Sequence, residues 1–544
     1  MPNTFNILKE LQKVFSRKQE KDLVALFMHG GIDLDNKQAL KKIVENIDWE
    51  NSRNQIGQLL AERLPVEQLV PEQYSAWRDI VHEALVYFAS HLSVTRLIPK
   101  LYAQVSLAEE TALEKRVMIF IEQMPTLQKL GQAIARNRNL APELRALLTQ
   151  LENDIRDISA QTIKQQIEEE LGKKLATHQI ELDEEIHSEA SVCALMRFHW
   201  YNAKTGRNEQ GVFKVLKPHI KENFEEEITL LQGFATYLDE KKDHVLNDVN
   251  LHDTFADISV TLKQELDTLQ EQANLHEAEQ RYDSISGVRT PHLIRELSNS
   301  NITAMSFEEG IKVTDKTSEV NGKQLSKQMI ETLIAIPLFE HEEKSLFHAD
   351  PHAGNLYVND EGELIIFDWA LTGRLNREER SKIILLFLAV SLRDESLLLE
   401  SIKSLAQEDL NADKIDKLMQ NIKEFLRALS IYSLPGINEV LTLTDNVLLT
   451  GVRFSSSMML FRKVLLTLDG VLNDIGETLA IENVVSQYVM QQLTHDMSNV
   501  NFWTGAQTYY NLPLSRSDAL SLMWSAQWYG LRAGLQHTEK LLNH

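Results

Sequence analysis

The sequence contains a single cysteine, Cys193, among its 544 residues. One thiol cannot close an intrachain disulfide, so the cysteine framework that is typical of small secreted domains is excluded. A long apolar run is also missing, because the longest candidate, Ile383 to Leu392, has only ten residues. That length is too short to cross a bilayer and suits a buried core helix. We therefore expect a cytoplasmic protein that does not span a membrane.

Basic residues are scarce relative to acidic ones. The chain has 56 Lys plus Arg against 79 Asp plus Glu, which gives a formal net charge of −23. Such a chain repels phosphate backbones, so we expect no nucleic acid as a main partner, although a small phosphorylated ligand needs only a few local cations. The N-terminus carries charges every few residues and does not resemble a secretory signal. Its apolar residues at helical spacing, from Phe5 to Phe15, predict a first helix packed on the protein, with a membrane-surface helix as the alternative.

The hydrophobic pattern changes along the chain. Up to about residue 185, apolar residues recur at three- and four-residue spacing, which predicts helix after helix. Short apolar runs joined by turn residues follow, among them VCALMRFHW and GVFKVLK, and helical spacing then returns. We predict an α+β protein in five segments: a helical N-terminal region (1–110), a second helical extension (111–185), a strand-rich unit (186–310), a larger helical unit around one hairpin (311–470) and a helical C-terminal region (471–544).

The strongest chemical signal is the segment HADPHAGNLYVNDEGELIIFDWALTG. Asp350 lies five residues before Asn355, and Asp368 lies thirteen residues after it. Kinase catalytic loops place a base Asp and a metal-binding Asn at the first of these spacings. A hairpin that turns at residues 360–362 brings Asp368 back beside Asn355, where two oxygen-bearing side chains can share Mg²⁺. Asp350 is then the candidate catalytic residue, which orients a nucleophile or accepts its proton.

Two alternatives to this interpretation stay open at this point. His348, Asp350 and His352 form an H-x-D-x-H pattern, which is compatible with three ligands of a metallohydrolase. That hypothesis leaves Asn355 and Asp368 without a role. The other alternative is an ordinary polar loop beside a hairpin.

A lysine in an apolar strand is the second signal. In VFKVLKP, Phe213 and Val215 point to one face of a strand and Lys214 to the other. An ammonium group among apolar neighbours needs an anionic partner, and nucleotide kinases supply phosphates and a helix glutamate. Glu265, in a predicted helix further along the chain, is the favoured glutamate, and Glu271 is a less direct alternative.

Together these motifs resemble the UbiB/AarF family of atypical, protein-kinase-like kinases of ubiquinone biosynthesis. The resemblance rests on HADPHAGN, the strand before Asp368, VFKVLKP, ELDTLQEQAN and an upstream LQKLGQ, and it covers roughly residues 120 to 375. The Lys-x-Gly-Gln motif of Lys129, Gly131 and Gln132 is the most specific of these features. The resemblance implies a bilobal protein-kinase-like core with a large helical N-terminal extension and a helical C-terminal region.

The resemblance also implies a role for each matching residue. Lys214 contacts the phosphates of ATP with Glu265 as its partner, Asp350 is the catalytic carboxylate, and Asn355 and Asp368 hold Mg²⁺. The remaining positions are the pocket-gating residues Lys129, Gly131 and Gln132 and the further ATP-binding residues Ala190, Ser191, Met305 and Phe307. The cofactors are then ATP and Mg²⁺, and the implied partners are a nucleotide, a prenylated quinone precursor or lipid, and a membrane surface contacted from its periphery.

The chain departs from the family pattern at three places. Glu189 puts an acid where the family has an alanine-rich phosphate loop, the Asp-Phe-Gly motif becomes Asp368-Trp369-Ala370, and Met305 is followed by Ser306 instead of Glu. Glu189 and the Asp-Trp-Ala variant keep a second hypothesis open, in which the chain is a weak pseudokinase that binds a lipid or serves as a scaffold. A small-molecule phosphotransferase shares the Asp350–Asn355 spacing, but such enzymes lack the Lys-x-Gly-Gln segment.

Overall fold

The computed structural model describes residues 49–491, with gaps at 71, 73–74, 76–77, 109, 130–157, 203–204, 242–258, 261, 316–320, 341, 430–435, 477–478, 486 and 489–490. The predicted first helix around Phe5 to Phe15, two residues of the Lys-x-Gly-Gln motif and most of the C-terminal segment therefore lie outside the described residues. Within the described part, no helix combines the length and the apolar character that a membrane span requires.

The described chain mixes helices and short sheets, which confirms the predicted α+β class. The helices are α1 Trp49–Arg63, α2 Arg78–His91, α3 Val94–Ser106, α4 Leu113–Ile121, α5 Ala160–Thr177, α6 Ile220–Lys241, α7 Thr268–Tyr282, α8 Gly322–Ile330, α9 Ile336–Phe339, α10 Arg377–Leu392, α11 Glu395–Leu405, α12 Ala412–Ala428, α13 Ile437–Leu449 and α14 Ser456–Ile475. The strands are β1 Glu181–Leu182, β2 Ser188–Glu189, β3 Cys193–Asn202, β4 Arg207–Leu216, β5 Val288–Arg289, β6 Ile302–Ser306, β7 Ile311–Lys312, β8 Lys344–His348, β9 Leu356–Val358, β10 Leu364–Ile366 and β11 Thr372–Asn376.

Two compact units divide these elements. The first holds the described residues up to Thr268 together with Ile294–Met305, and the second holds Leu269–Leu293 and the described residues from Ser306 onward. The chain therefore passes to the second unit after Thr268, returns to the first at Ile294 and leaves it again after Met305. The five-segment division stays a prediction, because the two units cross its boundaries.

In the first unit, the N-terminal helices share a core with helix α6. Leu60, Phe88 and Leu97 from α1 to α3 belong to the same buried apolar cluster as Phe224 and Leu231 of α6. Apolar residues spaced three and four apart place one face of each helix in this cluster. The helical extension is therefore continuous in its packing with the helix that follows strand β4.

A five-stranded sheet forms the other part of the first unit. Its order is β1-β3-β4-β6, and β2 also pairs with β3. Strands β3 and β4 form the antiparallel hairpin that the sequence predicts, with Lys214 opposite Leu195. Phe213 and Val215 pack in a cluster with helix α5, whereas Leu216 packs with the N-terminal helices. Alternate residues of β4 thus face opposite sides, which confirms the predicted alternation around Lys214.

The second unit contains two small sheets within a set of helices. One sheet has the order β5-β10-β9-β7, and the other pairs β11 with β8. Strands β9 and β10 form the predicted hairpin, in which Leu364 lies opposite Val358. Gly362 takes the positive φ of 79° that closes this turn. The hairpin carries Asn355 just before its first strand and Asp368 shortly after its second.

Candidate functional site

The loop between β8 and β9 contains Asp350 and Asn355, and several hydrogen bonds within the loop connect them. The backbone N–H of His352 donates to the Asp350 carbonyl at 2.8 Å, and the Asn355 N–H donates to the His352 carbonyl at 2.9 Å. The Asn355 side-chain Nδ2 also donates to the Asp350 carbonyl, at 3.1 Å. Because the amide nitrogen is used in this way, the Asn355 side chain presents its oxygen, the atom that Mg²⁺ prefers as a ligand.

Backbone pairing brings Asp368 next to Asn355. The Phe367 N–H donates to the Asn355 carbonyl at 2.9 Å, so the residue before Asp368 lies directly opposite Asn355. Asp368 then adopts a left-handed φ of 55°, which is uncommon for a residue other than glycine and turns the chain away from the strand. Its side chain is exposed, and its Oδ1 accepts the Ala370 N–H at 3.3 Å. The backbone pairing therefore brings the chain positions of the two predicted Mg²⁺ ligands close together, and their role toward the metal stays a prediction.

His348 fixes this arrangement from within the protein. It is 1% exposed, and its Nε2 lies 3.0 Å from the Phe367 carbonyl and 2.9 Å from the Asp368 carbonyl. Its Nδ1 accepts the Asp350 N–H at 3.2 Å. Two carbonyl partners require a proton on Nε2, so the ring is the neutral Nε2–H tautomer. Burial also lowers the pKa of the imidazole, which favours the same neutral form.

The same bonds argue against the metallohydrolase alternative. Both ring nitrogens of His348 are engaged by backbone groups, so neither has a lone pair directed at a metal ion. Within the described ranges, no group of three or more His, Cys, Asp and Glu side chains is arranged to hold a metal. Asn355 and Asp368, which that alternative leaves unused, are the residues that the hairpin places side by side.

Trp369 stabilises the turn after Asp368. The indole is 1% exposed, and its Nε1 donates to the Ile366 carbonyl at 3.2 Å. Asn274 of helix α7 donates from Nδ2 to the Trp369 carbonyl at 3.0 Å. The ring also lies edge-on to His348, with centroids 5.0 Å apart. Asp-Trp-Ala is thus a packed turn, and Asn274, the last residue of the ELDTLQEQAN motif, is a supporting residue that the sequence analysis did not single out.

The Asp350 carboxylate has a cationic neighbour that the sequence did not reveal. Lys463, on helix α14, places its Nζ 2.8 Å from Asp350 Oδ1. The other carboxylate oxygen, Oδ2, lies 3.8 Å from Nε2 of His352. Helical spacing alone could not identify Lys463, because it lies on an amphipathic helix far along the chain from the motif.

In the first unit, Lys214 lies on strand β4 and is 9% exposed. It occupies the face of β4 opposite to Phe213 and Val215, as the alternation predicts. A lysine at such a buried position is stable only beside anionic or strongly polar groups. Its role toward ATP phosphates stays a prediction.

Glu265 forms an ion pair with Lys129. Both side chains are partly exposed, at 18% for Glu265 and 25% for Lys129. The sequence favours Glu265 as the partner of Lys214, and this contact shows that the Glu265 carboxylate pairs with Lys129, the lysine of the Lys-x-Gly-Gln motif. The Lys214–Glu265 pair stays a prediction, and Glu271, the alternative, is buried on α7. Gly131 and Gln132 lie outside the described residues.

The turn between β2 and β3 carries Ala190 and Ser191. The Ala190 N–H donates to the Cys193 carbonyl at 2.9 Å and so closes the turn. Glu189, just before the turn, forms an ion pair with Lys217 at 2.8 Å, and the two side chains are only 3% and 6% exposed. The Lys217 N–H also donates to the Val192 carbonyl at 3.0 Å. In the sequence, Glu189 is an acid at the expected phosphate loop, whereas in the structure the buried Lys217 neutralises it.

Met305 and Phe307 flank the point where the chain leaves the first unit. Met305 is half-buried on strand β6, and Phe307 is half-buried just beyond it. Their predicted contacts with the adenine side of a nucleotide stay predictions.

Comparison with known proteins agrees with these motifs. The model of a family described as "ABC1 atypical kinase-like domain" matches residues 150–402. A protein named "Probable protein kinase UbiB" from Actinobacillus pleuropneumoniae is 24% identical over 355 residues, which are 64% of this chain and 65% of that protein. "Protein ACTIVITY OF BC1 COMPLEX KINASE 7, chloroplastic" from Arabidopsis thaliana is 24% identical over 68% of this chain and 53% of its own length.

The matches cover 64% of this chain, and the chain spans 65% of the length of these UbiB relatives. A solved structure, the erythromycin complex of a Mycobacterium tuberculosis protein, aligns with 70% of this chain and 96% of its own at 14% identity. Its TM-score of 0.43 is too low to add to the argument. The match of residues 150–402 to the ABC1 atypical kinase-like domain and the names of these relatives confirm the resemblance to UbiB-type atypical kinases that the sequence indicates.

Proposed function

We propose that this chain is an atypical kinase or ATPase of UbiB type that binds Mg²⁺ and ATP. The observation that carries this proposal is the pairing of Asn355 with the segment that leads into Asp368. One backbone bond sets Asp368 beside Asn355, and the Asn355 amide nitrogen is used by the Asp350 carbonyl. The site therefore offers one amide oxygen and one carboxylate, a donor set that fits a hard cation such as Mg²⁺.

Each residue has a separate part in the proposed reaction. Asn355 and Asp368 hold Mg²⁺, which supplies positive charge at the phosphates when it is bound. Asp350 is the catalytic residue, because its carboxylate orients the attacking hydroxyl or water and accepts its proton. Lys214 provides the ammonium that contacts the α- and β-phosphates. Lys129, which forms an ion pair with Glu265, is the pocket-gating residue at the start of the Lys-x-Gly-Gln motif.

Asp368→Asn tests this function most directly. In the wild type, Mg-ATP at a hundred times its Kd is expected to stabilise the fold by about 2.7 kcal/mol. Asp368→Asn removes one ligand charge, so we expect the Mg²⁺-dependent part of that stabilisation to disappear. Thermal unfolding with ATP alone, Mg²⁺ alone and both together measures the effect.

Asp360→Asn is the matched control, since it makes the same change in the exposed turn of the β9–β10 hairpin. We expect it to keep the Mg-ATP response of the wild type. An unchanged response in Asp368→Asn would contradict the proposed metal site, and a wild type without any response would contradict the function as a whole.

The pathway and the second substrate are inferred from the family. We propose that the activity supports prenyl-quinone metabolism, with a quinone precursor or related lipid as ligand and with peripheral contact to a membrane. The relatives' name UbiB supports this link. Phosphate release from Mg-ATP, measured with and without vesicles that contain a prenylated quinone, tests it, because a lipid partner should raise the rate.

The pseudokinase alternative loses one of its two supports. It rested on Glu189 as an acid near the phosphates, and that carboxylate is neutralised by Lys217. Nucleotide binding without phosphate release, in the presence of lipid as well as in its absence, would nevertheless establish the alternative.

A further inference from the structure

Helix α14 supplies a cation to the proposed catalytic residue. Lys463 Nζ lies 2.8 Å from Asp350 Oδ1, and the two side chains are 33% and 17% exposed. The motif HADPHAGN contains no lysine or arginine of its own. Among the described residues, the lysine that pairs with Asp350 therefore comes from an element outside the motif.

The position of Lys463 is fixed by the packing of its helix. Phe461, two residues earlier, is 1% exposed, and its ring lies edge-on to Phe347 with centroids 5.4 Å apart. Phe347 is in β8, three residues before Asp350. At the start of α14, Ser455 accepts the Met458 N–H at its side-chain oxygen and donates to Glu379 at 3.1 Å.

These contacts tie α14 to the strand that leads into the catalytic loop and to the first turn of α10. A lysine on a helix held at two points keeps its ammonium in one region. Such a lysine can fix the orientation of a carboxylate more firmly than a lysine on a loop can.

We propose that Lys463 is a positioning residue for phosphoryl transfer, acting through the Asp350 carboxylate. This inference rests on the proposed function. By engaging Oδ1, Lys463 fixes the plane of the carboxylate and so directs Oδ2 toward the nucleophile. In the reaction, the nucleophile's oxygen forms a bond to the γ-phosphorus while the bond to the β,γ-bridging oxygen breaks. ADP leaves with that electron pair, and the nucleophile's proton passes to Asp350.

The first test measures the ion pair without any nucleotide. An amine-directed acylating reagent modifies lysines, and mass spectrometry gives the rate at each one. Asp350→Asn removes the carboxylate charge, so we expect acylation of Lys463 to become several-fold faster. Lys403 is the control, because it has similar exposure, 38%, and pairs within its own helix with Glu400 at 2.9 Å. Equal acylation rates of Lys463 in the wild type and in Asp350→Asn would show that the two residues do not form an ion pair in solution.

The second test measures turnover and nucleotide affinity. We expect Lys463→Met to lower kcat for phosphate release by about 10- to 100-fold, a fraction of what a general base contributes, with KM for Mg-ATP within about twofold. Lys463→Arg keeps the charge and should recover most of the rate, and Lys403→Met should behave as the wild type. In an Asp350→Asn background, Lys463→Met should cause no further loss, because the residue acts through that carboxylate.

The outcomes separate the inference from the function on which it rests. Full turnover in Lys463→Met, or losses that add in the double variant, overturns the positioning role and leaves the kinase intact. A wild type that binds Mg-ATP without releasing phosphate also overturns that role. A wild type that does not bind Mg-ATP overturns the proposed function, while the acylation test still decides whether the ion pair exists.

Discussion

At the scale of single residues, the effect of Glu189 on the proposed nucleotide site depends on the residue with which it pairs. Glu189 looks harmful to nucleotide binding when it is read in the sequence, since a carboxylate beside phosphates is repelled. In the structure it pairs with Lys217, and both side chains are almost fully buried. Lys217 also holds the backbone of the β2–β3 turn through Val192. The ion pair and this backbone bond therefore connect Lys217 to both ends of the turn that carries Ala190 and Ser191.

Breaking this pair from one side should be costly. Glu189→Gln or Lys217→Met removes one charge of the buried pair and leaves the other buried, so we expect a loss of about 3 to 5 kcal/mol in the free energy of unfolding. The double variant Glu189→Leu with Lys217→Met removes both charges and should recover most of that loss. Urea unfolding of the three variants measures these energies. Single variants that cost less than about 1 kcal/mol would show that the pair behaves as a solvent-exposed one.

At the scale of elements, a second buried charge network holds the helical turn of residues 125–129 against α6. Glu227 of α6 is 0% exposed and accepts the Thr126 N–H at 2.8 Å. Arg96 of α3 pairs with Glu227 and also with Glu226, the latter at 3.0 Å. Lys129 lies on the same short helical turn as Thr126. The network therefore positions the start of the Lys-x-Gly-Gln motif.

Arg96→Met should weaken this part of the fold in a pH-dependent way. Burial raises the pKa of Glu227, and Arg96 opposes that rise. Without Arg96, the folded state favours the protonated carboxyl still more, so the folded protein binds more protons than the unfolded one. The loss of stability is then smallest near the unfolded pKa of 4.5, grows as pH rises through the raised pKa, and is full above it. We expect a loss of about 3 to 5 kcal/mol at pH 7.5 and a smaller loss at pH 5.

Urea unfolding of the wild type and Arg96→Met at both pH values measures the difference. Lys164→Met is the control, because Lys164 pairs at 3.3 Å with Glu184, whose side chain is 96% exposed. That surface pair should contribute at most about 1 kcal/mol at either pH. A loss in Arg96→Met that does not change with pH would contradict the assignment to Glu227.

The sequence predicts those elements whose signal is local. The Asp350–Asn355 spacing, the turn at Gly362 and the alternation around Lys214 each lie within a few residues, and the structure has the corresponding loop, hairpin and strand. Pairings between distant segments were not predictable in the same way. Lys463 with Asp350, Lys217 with Glu189 and Lys129 with Glu265 each depend on how elements pack, and helical or strand periodicity does not specify which charged residues meet.

At the scale of the whole molecule, the first unit is built around a core shared by segments that are far apart in sequence. The buried cluster that contains α1 to α4 and α6 also includes Val192, Cys193 and Leu216, which belong to the sheet region. Sheet residues such as Phe213 face the other cluster, with helix α5. The end of the sheet at Cys193 and Leu216 therefore belongs to the same buried cluster as the N-terminal helices and α6, whereas the face that carries Phe213 packs with α5.

Removing residues 1–157 should expose one face of α6 and the end of the sheet at Leu216. Each large apolar side chain that loses its cover, such as Phe224, Leu231 and Leu216, costs about 1.5 to 3 kcal/mol. A few such losses equal the whole stability of an ordinary domain. We therefore expect the shortened chain to aggregate or to bind a hydrophobic dye strongly, while the full chain does neither.

Dye fluorescence, sedimentation and near-ultraviolet circular dichroism of the two chains test this expectation. Phe224→Ala in the full chain is a milder form of the same change, and it should cost about 3 to 5 kcal/mol because it leaves a cavity in that core. A shortened chain that stays monomeric, with sharp thermal unfolding, would show that the strand-rich part folds alone. The N-terminal helices would then be an added layer, whereas the shared core predicts that they are a structural requirement for the sheet that positions Lys214.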